Sequence, residues 1–282
     1  MGADVQRQGI ELEIDRKRRS ANFYMPQDHY HKVYELFYLV SGRCRVFLNH
    51  TIYHVQPGDL VLIEPLALHH SSYGMAQESE RIALSFSERC MERLEERCGR
   101  GWKERLGANP CFAVEPGRRN YVEHLFEKIM VEQSGHDEFS EMLGEQYVLE
   151  LLAFLGRCAR GNRQQLANVA ELAGQEEAIQ DAAGYIYHHF QEPITLELVA
   201  GRVHMTPTYF SRKFKKLTGF GYKEYLSYLR LKEAQRLLLE TELSVDEIAR
   251  RCGFSDGNYF GDLFKREKGI SPRLYRKNPQ IL

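Results

Sequence analysis

The sequence has no long apolar run and no paired cysteine motif, and each absence excludes a class of protein. Its longest apolar stretches, such as LFYLV, are far shorter than the about 20 residues that cross a bilayer. The start, MGADVQRQGIELEID, lacks the apolar core of a signal peptide and the Ser or Thr of a myristoylation signal. The six cysteines form no CxxC pair, which in a chain of 282 residues indicates reduced thiols. We therefore expect a cytoplasmic protein without a membrane partner.

Common catalytic patterns are also missing. The chain has no Ser-His-Asp arrangement, no phosphate loop and no dinucleotide fingerprint. Its length suggests about two domains. The net charge of −1 hides an asymmetry between them. Up to Glu177 there are 21 basic and 27 acidic residues, a net of −6, and from Ala178 there are 17 and 12, a net of +5. A basic back half suggests that this half meets a polyanion.

The front half has the alternating pattern of short strands. From about residue 20 to 86, apolar and polar side chains alternate between turn signals. The expected strands are YELFYLV, CRVFL, TIYHV, DLVLI and RIALSF, with turns at SGR, LNHT and PGD. Many short, closely spaced strands predict a small antiparallel barrel or double-sheet jelly roll.

Residues about 88–160 switch to helical spacing. One apolar stripe comprises Leu143, Tyr147, Leu151 and Phe154, widened by Val148, Leu152 and Leu155. Such a stripe fits a helix packed on its own barrel, and part of it also fits a dimer face. A polar stretch of weak periodicity then predicts a linker. The expected division is a domain at 1–160, a linker at 161–177 and a second domain at 178–282.

The second domain contains one module used twice. Helices are expected to start near Ala178, Leu196, Pro207, Tyr222, Val245, Asp256 and Pro272. The stretch from Thr195 aligns with the stretch from Ser244, and Tyr209-Phe210 falls on Tyr259-Phe260 after a one-residue insertion. Repetition of this kind indicates a duplicated structural unit.

Each copy carries the signals of a helix-turn-helix. Ser244 and Glu247 fit a capping box at the first helix of the second copy. Gly253 lies in the turn, where a positive φ costs glycine little. Thr206 in one copy and Ser255 in the other are expected to cap the second helix.

The second helix of each copy has a polar face opposite its phenylalanines, and a helix of this width fits the DNA major groove. The candidate DNA-contacting residues are Thr206, Thr208, Ser211, Arg212, Lys215 and Lys216 in the first copy, and Ser255, Asp256, Asn258, Asp262 and Lys265 in the second. A solvated helix face is the alternative for the basic cluster. The helix between the copies has about 19 residues and spans roughly 28 Å, close to the about 34 Å of one DNA turn. One chain could therefore read two successive groove segments.

The string IARRCGFSDGNYFGDLFKREKGISPRLYR closely resembles the signature of AraC/XylS-type transcription regulators. The resemblance covers about 100 residues, from about 178 to 280, and implies sequence-specific double-stranded DNA binding, control of nearby promoters and, for an activator, RNA polymerase as a partner. The chain departs from the family at Gly261-Asp262, where a basic or polar pair is frequent. Asp262 would repel phosphate, although it could accept a hydrogen bond from cytosine N4. We expect the first copy to be the stronger reader.

The front half resembles the cupins in two motifs. His29, His31, Glu35 and Gly42 fit the first, and PGDLVLIEPLALHH, which contains His69, resembles the second. In metal-binding cupins such residues converge inside the barrel, and imidazoles with a carboxylate suit a divalent transition metal. The candidate effector-binding residues are His29, His31, Glu35, Tyr38, His69 and His70, and the metal-ligand candidates are His29, His31, Glu35 and His69.

Three interpretations of these residues stay open: a metal-free pocket for an organic effector, as in AraC-type sensory domains, a metal that takes part in sensing, and a purely structural cluster. The aromatic residues Phe23, Tyr24, Tyr30, Tyr34, Phe37, Tyr38 and Tyr73 suit stacking on a sugar and equally suit a barrel core. A metal-dependent cupin enzyme and a DNA-bending protein without an effector are the other function classes.

The sequence thus predicts an α+β multidomain protein. An N-terminal antiparallel, cupin-like β-barrel with packed helices precedes an all-α domain with two helix-turn-helix motifs. The predicted function is that of a homodimeric, DNA-binding transcription regulator. A small molecule, for which a sugar is the first candidate, controls it without a cofactor and without catalysis, and a divalent metal stays an alternative.

Overall fold

The computed structural model describes residues 12–20, 31–73, 78–135, 137–161 and 174–277. The chain divides into two compact units, Met1–Glu171 and Leu172–Leu282. Most of the predicted linker lies outside the described residues, and the helix that follows it begins at Gln175, three residues before the predicted start. Within the described ranges, no helix is both long and apolar enough to cross a membrane.

The first unit contains two antiparallel sheets. Its strands are β1 (Leu12–Arg19), β2 (Tyr34–Ser41), β3 (Cys44–Leu48), β4 (Thr51–Val55), β5 (Asp59–Ile63), β6 (His69–Tyr73), β7 (Ser79–Phe86) and β8 (Cys111–Ala113). The order β1-β7-β2-β5-β8 forms a five-stranded sheet, and the order β4-β3-β6 forms a three-stranded sheet. The predicted antiparallel β architecture is confirmed, in its double-sheet form.

All five strands predicted from alternation are present, whereas β1, β6 and β8 are not predicted by the sequence pattern. Each of these three strands lies at an edge of its sheet. Edge strands are commonly short or charged, which protects them from pairing with other chains. LEIDRKRR is charged and CFA is short, as this rule expects, whereas HHSSY is polar and largely buried; all three lack the usual strand pattern.

Strand β2 separates two hydrophobic cores because its successive side chains point to opposite faces. Leu36 and Tyr38 belong to the core between the five-stranded sheet and the helices. Phe37 and Leu39 belong to a core that the two sheets share. Glu35, on the same side of the strand as Phe37 and Leu39, therefore faces the space between the sheets.

Helices cover the outer face of the five-stranded sheet. They are α1 (Glu88–Cys98), α2 (Trp102–Ala108), α3 (Arg119–Gln133) and α4 (Glu138–Gly161), with a short 3-10 turn at Pro116–Arg118. In the apolar stripe of α4, Leu151, Leu152 and Leu155 are completely buried in the core of their own unit. The stripe thus mainly packs inside its own unit, largely against the neighbouring helices, and a dimer face remains a prediction.

All regular elements among the described residues of the second unit are helices. Its helices are α5 (Gln175–His189), α6 (Leu196–Arg202), α7 (Pro207–Thr218), α8 (Tyr222–Glu240), α9 (Val245–Arg251), α10 (Gly257–Lys268) and α11 (Pro272–Lys277). Helices α6 and α7 form the first helix-turn-helix, and α9 and α10 form the second, with α8 between them.

The two copies repeat their packing as well as their sequence. A row of three aromatic rings runs through each copy, with adjacent ring centroids between 5.2 and 5.7 Å apart. The rings are Phe210, Phe214 and Tyr225 in the first copy and Phe260, Phe264 and Tyr275 in the second. Aromatic contacts at this distance add to the stabilisation from burial, so α7 and α10 are each fixed on a small core of their own.

A junction at residues 190–192 ties the copies together. Arg230 of α8 donates hydrogen bonds to the carbonyls of Phe190 and Glu192, at 2.7 and 2.9 Å. Its guanidinium carbon also lies 5.7 Å from the ring centroid of Phe254, in the turn of the second copy. The turn at Gly253 packs against the same carbonyl segment. Helix α8 and the turn of the second copy therefore both rest on this one segment.

Candidate nucleic-acid interface and ligand-binding cluster

Helix α7 begins at a side-chain cap, as its sequence predicts. Oγ1 of Thr206 accepts a hydrogen bond from the backbone nitrogen of Tyr209 at 3.4 Å, and Pro207 takes the first helical position. The buried face of the helix carries Phe210 and Phe214. The exposed side chains of α7 include Thr208, Arg212, Lys215 and Lys216, whereas Ser211 is half-buried. This exposed face is the candidate DNA-contacting surface of the first copy.

Helix α10 is capped by Asp256, so the prediction of Ser255 as the cap is wrong. The extra residue of the second copy lies before the cap and moves the helix start to Gly257. Oδ1 of Asp256 accepts a hydrogen bond from the backbone nitrogen of Asn258 at 2.8 Å. The predicted contact residues Ser255, Asp256, Asn258, Asp262 and Lys265 are all exposed. Asp256 therefore has a structural role in addition to any contact with DNA.

The two candidate DNA-contacting helices, α7 and α10, differ in charge. Helix α7 carries Arg212, Lys213, Lys215 and Lys216 without an acidic residue, whereas α10 carries Lys265, Arg266 and Lys268 with Asp262 and Glu267. Nζ of Lys215 lies 4.0 Å from the carboxylate of Glu224, and both side chains are more than half exposed. Such a surface pair is weak, so Lys215 can exchange it for a phosphate. We expect α7 to supply more of the phosphate affinity.

A matched pair of tyrosines on this surface, Tyr209 and Tyr259, is absent from the contact residues predicted from the sequence. Tyr209 and Tyr259 occupy equivalent positions in the first turns of α7 and α10, and they are 38% and 56% exposed. Their hydroxyls can donate to phosphate oxygens. The alignment of the two Tyr-Phe pairs is the sequence feature that could have identified these tyrosines. Only the phenylalanine of each pair belongs to the apolar face, so the tyrosine is left exposed.

Three predicted effector residues converge in the first unit as the His31–Glu35–His69 cluster. One ligand atom from each residue lies within 4.8 Å of the others. Nε2 of His31 lies 3.1 Å from Oε2 of Glu35, and the ring centroids of His31 and His69 are 5.0 Å apart. Glu35 belongs to β2 of the larger sheet and His69 to β6 of the smaller one. The cluster therefore joins the two sheets.

Backbone carbonyls orient both imidazoles. Nδ1 of His31 contacts the carbonyl of Val33 at 2.6 Å, and Nδ1 of His69 contacts the carbonyl of Ala67 at 2.9 Å. Burial lowers the pKa of His31, but its hydrogen bond to Glu35 and the charge of that carboxylate outweigh burial and leave the pKa raised. Burial likewise raises the pKa of Glu35, but the hydrogen bond from His31 and the nearby positive charges leave it lowered. The pair favours opposite charges.

Two other predicted effector residues, Tyr38 and His70, lie apart from the cluster. Tyr38 lies on the opposite face of β2, where its hydroxyl donates to Oε1 of Glu123 at 2.9 Å and its ring packs near Phe126. His70 follows His69 on β6, so it points away from the face that His69 shares with the cluster. Side chains alternate along β2, so Tyr38 lies apart from the cluster, and its role in effector binding stays a prediction.

Several predicted aromatic and ligand residues, namely His29, Phe23, Tyr24 and Tyr30, lie outside the described residues. Of the described aromatic residues, Tyr34 stacks on Phe86 with centroids 5.4 Å apart, and Phe37 and Tyr73 are buried in the core that the sheets share. Their use in the cores is the commoner of the two roles that the sequence allowed.

Comparisons with known proteins cover both units. A model of the AraC-like ligand binding domain matches residues 16–152, and a model of a helix-turn-helix domain matches residues 199–278. The transcriptional regulator YisR of Bacillus subtilis is 26% identical over 260 residues, which are 87% of this chain and 86% of YisR. The transcriptional activator RhaR of Cronobacter sakazakii is 28% identical over 256 residues, 89% of this chain and 86% of RhaR. The solved DNA-binding domain of AdpA in complex with a target DNA is 34% identical and covers 36% of this chain and 97% of that chain, with a TM-score of 0.35.

Proposed function

The chain belongs to the AraC family of helix-turn-helix transcription regulators, and we propose that it binds a two-part DNA site under the control of a small molecule. The observation that carries the proposal is the duplicated module, in which α7 and α10 each begin at a side-chain cap and expose a polar face. Both helices belong to the second unit, in which α8 connects the two copies of the module. A single chain therefore presents two groove-reading helices.

In this proposal the two helices enter successive major-groove segments on one face of the duplex. Helix α8 has 19 residues and hence a length of about 28 Å, which suits a separation of nearly one DNA turn. Arg212 contacts a base edge, and Lys215 and Lys216 neutralise phosphates. Asn258 and Asp262 contribute specificity in the second segment with less electrostatic attraction.

The effector binds in the first unit, at the His31–Glu35–His69 cluster. The residues matched by the AraC-like ligand binding domain include all three side chains. A carboxylate and two imidazoles can hydrogen-bond the hydroxyls of a polar molecule, so a sugar or sugar acid is the first class to test. Regulation then requires binding but no turnover.

The proposed response is a change in DNA affinity or half-site choice in a dimer. The coupling free energy behind this response is no larger than the difference in the effector's binding free energy between the two arrangements of the protein. Its partners are double-stranded DNA in the cytoplasm, a second copy of the chain and, for activation, RNA polymerase.

An affinity titration with the full chain tests this control. DNA selected by the chain from a random library is titrated at fixed salt, with and without each sugar or sugar acid. We expect one ligand to raise the melting temperature and to change DNA affinity by about 5- to 150-fold, the usual range of coupling. The substitution Glu35→Gln removes a carboxylate from the cluster and is expected to abolish the response.

The control for this experiment is Glu127→Gln, which removes an exposed carboxylate of α3. It should leave the response unchanged. DNA affinity that is indifferent to every ligand would contradict the proposed control and favour a DNA-bending protein. A response that survives Glu35→Gln would place the effector elsewhere.

A further inference from the structure

We propose that the effector of the first unit is a sugar acid, whose carboxylate binds the guanidinium of Arg81 while its hydroxyls bind at the His31–Glu35–His69 cluster. This inference rests on the proposed control by a small molecule and narrows the chemical class of that molecule. Arg81 is absent from the effector residues predicted from the sequence, and it lies on β7 of the larger sheet.

Arg81 and the cluster share one face of the five-stranded sheet. Ile82, the next residue on β7, lies in the core on the helical side, so Arg81 points to the opposite side, between the two sheets. Its cross-strand partner on β2 is Leu39, which lies in the core that the two sheets share. Glu35 is four residues from Leu39 on the same face of β2, a distance of about 13 Å along the strand. The long side chain of Arg81 can bridge part of this distance.

The charge of Arg81 influences groups on both sheets. Burial raises the pKa of Tyr73 on β6 of the smaller sheet, and the charges of Arg81 and Arg19 oppose that rise. Burial also raises the pKa of Glu35, but the hydrogen bond from His31 and the nearby positive charges, including that of Arg81, leave it lowered. These effects agree with the geometry of the strands, which places the guanidinium between the two sheets.

Asp15 of β1 orients Arg81 and leaves part of its binding capacity for a ligand. Nη1 of Arg81 donates to Oδ1 of Asp15 at 2.7 Å, its hydrogen bond within the part of the chain that the structure describes. A guanidinium carries five N–H donors and can hold a carboxylate by two parallel hydrogen bonds. Oδ2 of Asp15 lies 2.6 Å from Nζ of Lys17. Asp15 therefore keeps a cationic partner when a ligand carboxylate binds Arg81.

The position of Arg81 combines partial burial with an accessible border. Its side chain is 12% exposed, whereas those of Asp15 and Lys17 on the neighbouring strand are 29% and 52% exposed. Strand β1 is the edge of the five-stranded sheet, so a small anion can approach between β1 and the smaller sheet. Because a charge pair is stronger where water is largely excluded, Arg81 binds such an anion better than a surface arginine would.

The two ends of this face require different groups of one ligand. Arg81 offers donors to an anion, whereas the imidazoles and the carboxylate of the cluster exchange hydrogen bonds with hydroxyls. A neutral sugar has the hydroxyls but no anion for Arg81. A fatty acid has the anion but no hydroxyl for Glu35. A sugar acid carries both groups, so it is the class that matches the whole face.

The test measures ligand binding to the full chain by calorimetry, without DNA. Glucuronate and galacturonate are each compared with their neutral amides, which keep the shape and lose the charge. We expect at least one acid to bind, and its amide to bind at least about 10-fold more weakly. Arg81→Gln should weaken binding of the acid by about 10- to 150-fold, the usual cost of losing hydrogen bonds to a charged group. The same substitution should leave binding of the amide nearly unchanged.

The matched control is Arg16→Gln. Arg16 lies on β1 next to Asp15 but on the other face, where it pairs with Glu80 at 2.9 Å and is 37% exposed. Its removal changes the net charge equally and should leave binding of the acid unchanged. Equal losses for Arg16→Gln and Arg81→Gln would mean that general charge attracts the acid, which would overturn the proposal.

Two outcomes with the unsubstituted chain would also overturn the sugar-acid proposal, and neither depends on whether a variant folds. One is that neither acid binds, and the other is that an amide binds as tightly as its acid. Both are distinct from a failure of the proposed control. An acid that binds without changing DNA affinity would contradict the control and support the sugar acid as ligand. A neutral sugar that changes DNA affinity while the acids do not bind would do the reverse.

Discussion

Alanine at position 253 is expected to destabilise the second helix-turn-helix by about 3 kcal/mol, through backbone strain and a steric clash. Gly253 has a φ of 85°, a conformation that costs other residues about 1–2 kcal/mol. A Cβ atom there would lie 2.7 Å from the carbonyl oxygen of Gln191 and 2.9 Å from that of Phe190. Because these atoms belong to the backbone, they cannot rotate away. Hydrogen exchange of α9 and α10 in the full chain measures the loss locally.

Two other positions separate the strain from the clash. Gly269 has a φ of 77°, but a Cβ there would meet nothing within 4 Å, so Gly269→Ala should cost only about 1–2 kcal/mol. His204 is the counterpart of Gly253 in the first copy and has a φ of 54°. Glycine at position 204 would relieve about 1–2 kcal/mol of strain but would lose about 0.4–1 kcal/mol through the larger entropy of the unfolded chain, so we expect His204→Gly to give a net stabilisation of about 1 kcal/mol. Equal losses for Gly253→Ala and Gly269→Ala would rule out the clash with the 190–192 junction.

The substitution Arg212→Ala is expected to weaken binding to the selected DNA by about 1–3 kcal/mol if Arg212 reads a base. The guanidinium is exposed on α7, on the face opposite the buried phenylalanines, and can donate two hydrogen bonds to one base. Specificity should relax at a single position of the site. If Arg212 instead contacts only phosphate, affinity falls alike on all sequences, and the slope of log affinity against log salt decreases by about one. Fluorescence anisotropy at several salt concentrations distinguishes the two cases.

Arg236→Ala is the charge-matched control. Arg236 lies on α8, where its guanidinium pairs with Glu233 at 2.7 Å and with Glu240 at 2.5 Å. Removing it changes the net charge by the same amount without touching α7 or α10, so DNA affinity should change little. An identical loss for Arg236→Ala and Arg212→Ala would mean that general charge, not a contact of α7, accounts for the effect.

The second unit could be predicted closely from sequence because its signals are local. The periodicity of α8 gave both of its ends, and the caps at Thr206 and Ser244 follow from single residues next to an apolar pattern. The cap at Asp256 was missed because sequence alignment leaves the place of a one-residue insertion ambiguous. Only the backbone shows on which side of Ser255 the extra residue lies.

The cluster in the first unit could be predicted only in part, because its geometry depends on long-range pairing. Motif spacing gave His29, His31, Glu35 and a choice between His69 and His70, of which His29 lies outside the described residues. The choice depends on β6, a polar edge strand that sequence patterning does not reveal. Tyr38 is three residues after Glu35 on β2 and hence on the other face, a separation that strand alternation shows only once the strand is known.

Hydroxyl-radical footprinting of the full chain on its selected DNA tests most directly whether one chain reads two groove segments. The account predicts two protected segments for each bound chain, on one face of the duplex and about 10 base pairs apart from centre to centre. Arg212→Ala should weaken protection of the segment that α7 occupies more than that of the other. A single protected segment for each chain would contradict the account, since α7 and α10 would then not read the duplex together.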